Sequence, residues 1–180
     1  MRYRSNDYSV PTRFAHREVM VKGFTERVVI ACDGETIADH PRSYERYDFI
    51  ADPLHYLALI EQKPAALDQA KALQGWDLPG CFAELRRLME ARMGKAGKRE
   101  YVQVLRLLET FRLEEVEAAA RDALRLGAIG FDAVKQIALA RIERRPARLD
   151  LAAYPHLPKM DVKTTRAADY AALVPQTSQE

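Results

Sequence analysis

Only two of the 180 residues are cysteine, Cys32 and Cys81. That is too few for a disulfide framework, and a reducing compartment is the simpler expectation. No apolar run approaches the roughly 18–20 residues that cross a bilayer. A cytoplasmic protein with no membrane partner is therefore expected. The opening MRYRSNDYSVP has positive charge but no apolar stretch behind it, so it does not read as a signal peptide. Net charge is nearly absent too: 28 basic residues against 26 acidic ones leave +2. This balance does not by itself call for nucleic acid, and any such contact must come from local clustering.

The usual carriers of chemistry are also missing. The four histidines, His16, His40, His55 and His156, stand near no cysteine at a metal-ligand spacing. There is no glycine-rich phosphate loop followed by Lys-Ser or Lys-Thr, and no G-x-S-x-G elbow. Asp48, Asp52 and Glu61 fall on a strand, a loop and a helix, a weak basis for two-metal catalysis. The expectation is no catalytic residue, no cofactor and no metal site. Binding or assembly is left as the function.

What the chain does have is a break in pattern near residue 50. Before it, strands are expected at Tyr8–Val10, Val19–Phe24, Arg27–Cys32 and Glu35–His40, with Tyr47–Ile50 as a closing strand. Asp33-Gly34 is a strong hairpin signal. A two-residue turn there sets Cys32 opposite Glu35, Ile30 opposite Ile37 and Arg27 opposite His40. One face, Val19, Val21, Val28, Ile30, Cys32 and Ile37, is apolar and should form the core. The other carries Met20, Lys22, Phe24, Arg27, Val29, Thr36 and His40. So few short strands leave edges exposed, which favours curling into a small barrel.

After residue 50 the period becomes helical. Asp52-Pro53 starts a helix to about Glu61, and Pro64 opens another to about Leu73. Further helices are expected over 79–93, 98–111, 113–126 and 131–145, stacked as antiparallel neighbours. The fold class is thus α+β: a small antiparallel β-barrel over residues 1–50, a helical region over 51–145, and an extended tail over 146–180 with a possible short helix.

Lys22, Arg27 and His40 beside Phe24 form either a phosphate surface or a solvated sheet face with scattered charges. Arg42 and Arg46 sit on the exit loop, where binding residues concentrate. Arg92, Lys95, Lys98 and Arg99 cluster around Gly94–Gly97, and Arg141, Arg144, Arg145 and Arg148 around the last helix end. Either cluster is a phosphate patch or the ordinary enrichment of cations at helix C-termini. The DNA-binding candidates are Lys22, Arg27, Arg42, Arg46, Lys95, Lys98 and Arg99. In the tail, Leu157, Val162, Tyr170 and Leu173 are spaced anchors for a partner, or for the chain's own helices.

Several of these segments resemble a known family. Tyr8–Pro11, the strand-turn-strand ending in His40-Pro41-Arg42-Ser43, His55-Tyr56, Glu61-Gln62-Lys63-Pro64 and Ala65–Leu67 look like the C-terminal part of an IstA-type insertion-sequence transposase. Residues 8–50 also resemble the small β-barrel behind the catalytic domain of Mu-like transposases, in the retroviral integrase-like superfamily. Tyr154–Pro158 and Tyr170 extend the likeness into the tail. The resemblance implies an RNase H-like domain with a metal-binding Asp-Asp-Glu triad before residue 1, none of whose carboxylates is placed here. It implies transposon-end double-stranded DNA and an IstB-type AAA+ ATPase as partners, with homo-oligomerisation in the full-length protein. The expected role is non-catalytic: end-DNA binding and assembly of the transposition complex. The alternative is a protein–protein module that recruits the ATPase or builds the oligomer without touching DNA.

Overall fold

The computed structural model describes residues 1–143, within a unit that runs from Met1 to Arg144. Arg144, Arg145, Arg148 and the tail anchors Leu157, Val162, Tyr170 and Leu173 lie outside the described residues. Six strands come first: β1 (Arg2–Tyr3), β2 (Asn6–Tyr8), β3 (Met20–Gly23), β4 (Arg27–Cys32), β5 (Glu35–Pro41) and β6 (Phe49–Ile50). Five α-helices follow: α1 (Leu54–Gln62), α2 (Gly80–Met93), α3 (Lys95–Arg106), α4 (Leu113–Leu126) and α5 (Phe131–Ile142). The α+β order matches the sequence pattern.

Asp33 and Gly34 reverse the chain between β4 and β5 with φ of 52° and 87°. Positive φ at both turn positions suits the twist of the strands it joins. Cys32 pairs with Glu35, as the turn predicts, and between β3 and β4 Val21 pairs with Ile30 and Lys22 with Val29. Beyond Ala31–Thr36 the register slips by one residue. Ile30 faces Ala38 rather than Ile37, and Val28 rather than Arg27 faces His40. Ile37 is the extra residue of a bulge, and past it β5 turns its opposite face inward. Ala38 and His40 are therefore buried against Val28 and Ile30. His40 leaves the outer face to which its alternation assigned it.

The strands do not close into one barrel. They form two sheets, β3-β4-β5, which is antiparallel, and β1-β2-β6, in which β2 and β6 run parallel. β1 and β6 have only two residues each, too short to carry hydrogen bonds around a closed wall. The sheets are joined by side chains instead. Tyr3 lies over Gly23, so close that a Cβ there would meet its ring. Tyr8, Val28, Ile30 and Ala38 form the buried apolar cluster of this half.

The helical half has a larger core, centred on α3. Tyr101, Val102, Val104 and Leu105 are buried there, against Phe82, Leu85 and Met89 of α2, Leu57 and Ile60 of α1, and Val134 and Ala138 of α5. Each fully buried aliphatic side chain stabilises the fold by about 1.5–3 kcal/mol. Three corrections concern helix boundaries. Residues 64–73 form two short 3-10 turns, Pro64–Asp68 and Lys71–Leu73, instead of one helix. α3 begins at Lys95, because Gly94 alone, with φ of 57°, makes the break. Gly97 lies inside α3, where a Cβ would fall 2.1 Å from the Met89 carbonyl oxygen. The second glycine is thus a close-packing residue between α2 and α3, not a terminator.

Candidate nucleic-acid interface

The β4–β5 slip changes the charge on the outer face. It sets Asp39 beside Arg27, 3.1 Å away, so this arginine's charge is largely neutralised. Its guanidinium also covers Phe24, 5.2 Å from the ring centroid. Lys22 remains exposed on β3, without an ion pair among the described residues. Arg42 reaches back to the β3–β4 turn. Its Nη1 donates to the Phe24 carbonyl at 2.7 Å, and its guanidinium lies 4.6 Å from the Tyr44 ring centroid. Neither partner is a carboxylate, so Arg42 is held in place with its charge intact. Arg46 is exposed on the same loop.

Buried polar groups hold that loop. Asn6, 2 % exposed, donates from Nδ2 to the Ser43 carbonyl and accepts from the Asp48 amide through Oδ1, both at 3.1 Å. The Tyr8 hydroxyl accepts from the Ser43 amide. Tyr44 donates its hydroxyl to the Thr25 carbonyl, and the residue stays 69 % exposed. Residues 42–48 are thus a fixed projection that carries arginine and tyrosine side chains.

The helical candidates divide. Lys95, Lys98 and Arg99 stand in the first turns of α3, not at a helix C-terminus. Helix-dipole enrichment does not account for cations at that end. Lys98 is committed to Asp68, which also binds Arg86. These two cations hold the Asp68 carboxyl below the usual carboxylate range. Lys95 and Arg99 stay exposed. In the second cluster, Arg141 grips Asp122 through two nitrogens, at 3.0 and 2.7 Å. This pair ties α5 to α4 and leaves little for a phosphate.

Residues 1–52, which carry both sheets and the projecting loop, match the family described as Mu transposase, C-terminal domain. The similarity to known transposases runs further. The chain is 34 % identical over 127 residues to a transposase of Aminobacter aminovorans, covering 68 % of this chain and 24 % of that one. It is 30 % identical over 133 residues to the transposase for insertion sequences IS1326/IS1353 of Pseudomonas aeruginosa, covering 69 % and 24 %. The same values hold for the Shigella flexneri relative of that description. The chain spans about a quarter of the length of these curated relatives. No solved structure matches it.

The matched segment ends at a physical junction. Asp52 accepts the Leu54 amide at 2.9 Å and so opens α1. Ser9, just past β2, accepts the Asp52 amide through Oγ, which also lies 2.7 Å from His55 Nδ1. Buried His40 donates from Nε2 to the Ser9 carbonyl at 2.7 Å, and its ring meets His55 edge-on at 5.6 Å. Burial lowers the His55 pKa below its usual value, partly offset by Asp52 and reinforced by His40. His40 and His55 thus join the domain to the first helix. Their sequence spacing carried no sign of this, because the bulge alone brings His40 inward.

Proposed function

We propose that this chain is a non-catalytic C-terminal part of a DNA transposase, one that supports transposon-end duplex binding and assembly of the transposition complex. The family match over residues 1–52 carries this reading. Those residues also present Lys22, Arg42 and Arg46 without a carboxylate partner among the described residues. Lys95 and Arg99 supply two more cations in the helical half. Chemistry at a metal-bound Asp-Asp-Glu triad is left to another part of the transposase. A parallel role in homo-oligomer contacts, or in contact with an AAA+ ATPase, is supported by the exposed apolar side chains Leu113, Leu126 and Ile142 of α4 and α5.

The test is duplex binding by fluorescence anisotropy across a salt series. Each phosphate contact contributes a slope of about −0.9 in log K against log salt. Reversing charge at Arg42 and Arg46 should weaken binding at least roughly tenfold and flatten that slope by about two contacts. Unchanged affinity and slope would remove both residues from the interface. A protein-only role would show as partner or self-association with no duplex binding at any salt.

A further inference from the structure

We infer that the recess between the β1–β2 turn and the 42–46 loop is a subsite for an unpaired nucleotide of a DNA strand. This deepens the proposed function and rests on its DNA-binding reading. The recess measures about 220 Å³, large enough for one nucleobase. Arg4, Arg42 and Arg46 border it, and none has a carboxylate partner among the described residues. Glu45 is the one acidic residue on its rim. Arg4 and Arg46 on this rim suit the phosphates on either side of one nucleotide, while the Arg42 guanidinium is held at the Phe24 carbonyl. The Tyr44 ring, backed by Arg42, offers a face on which a base can stack. Bases within a duplex are already stacked on both faces, so exposed aromatic rings select unpaired ones.

The backbone points to the same place. Arg4 and Ser5 make the β1–β2 turn with φ of 45° and 70°. Such a turn is formed most easily by Asn-Gly or Gly-Gly. Tyr47, at the far end of the loop, has φ of 64°. Left-handed backbone at non-glycine residues is unfavourable and gathers at functional sites. Arg4 holds that conformation on the border of the recess. Buried Asn6 fixes both ends of the loop that forms the opposite wall.

The full chain is titrated with three fluorescent DNAs that share one duplex: blunt, extended by a short single-stranded flank, and extended by the same flank with abasic sites. The base-bearing flank should bind about tenfold tighter than the abasic one, the scale of one stacked base. Tyr44→Ala should abolish that difference. Arg4→Gln, which leaves the stacking face intact, should weaken binding of both flanked DNAs relative to the blunt duplex. Equal binding of base-bearing and abasic flanks by a protein that binds the blunt duplex would overturn the subsite and leave the DNA-binding reading standing. Failure to bind any of the three would overturn both.

Discussion

His55 shows how one side chain responds to the joint it occupies. Its ring is packed between Ser9, Asp52 and His40, and burial disfavours its charged form more strongly than the Asp52 carboxylate favours it. Arg13, Arg106 and Glu109 border the open side of this joint. In the neutral ring the Ser9 hydroxyl donates to Nδ1, and Nε2–H faces Asp52 Oδ2, 3.7 Å away. The folded-state pKa lies below the unfolded value of about 6.5. Between those two values the unfolded chain holds the extra proton, so stability rises with pH. The contribution is complete above about pH 6.5 and is lost as pH falls through the folded pKa. Melting temperature should therefore drop on acidification from about pH 7 to about pH 5, and His55→Gln should reduce that drop. Superimposable pH profiles for the two proteins would exclude His55 as the source. His40, by contrast, was misplaced by alternation alone. One extra residue, Ile37, inverts the face of everything after it, and no local feature of ETIADHP marks the insertion.

At the scale of elements, hairpin and helices differ in how much their residues reveal. β4 and its turn follow directly from Asp33-Gly34, because a tight turn leaves few registers. α4 occupies the expected residues, with Glu115 reaching back to the Arg112 amide and left-handed Gly127 at its end. Residues 64–73 read as helix because Pro64 opens helices well, yet they wrap α3 as 3-10 turns that bury Leu67. Gly97 read as a terminator because close backbone approach and helix ending both call for glycine. Tertiary packing decided each of these cases. The 42–48 loop was legible only as a place where binding residues concentrate. Its rigidity comes from Asn6, which sequence reading passed over. Asn6→Ala would leave the Ser43 carbonyl and the Asp48 amide without these partners, a loss of about 1–3 kcal/mol if neither finds another. Urea denaturation should show that loss, and proteolysis should shift toward the loop between β5 and β6. A variant with wild-type stability and the wild-type cleavage pattern would show that the loop is held by other means.

At the scale of the whole molecule, the two halves are unequal in what they bury. The sheet half relies on a cluster of four buried residues, the helical half on one of seventeen. A chain of about 50 residues buries only about 60 % of the surface it exposes when unfolded, and its stability is marginal. Here the sheet half also draws on bonds across the junction. Ser9 Oγ accepts from Asp52 and faces His55, while His40 leans on the His55 ring. Cutting the chain after Asp52 would remove the histidine that covers His40 and would open the joint to water. The segment that matches a family by itself, residues 1–52, should therefore not fold by itself. The fragment 1–52 should give a random-coil circular dichroism spectrum and poorly dispersed amide resonances. The fragment 53–143 should remain helical and melt cooperatively, and residues 1–143 together should unfold in a single transition. A well-dispersed spectrum from 1–52 would show that its two short sheets need no support from α1, and that His40 is buried by the strands alone. If residues 1–143 melted in two steps, the Ser9–His55 joint would be too weak to couple the halves.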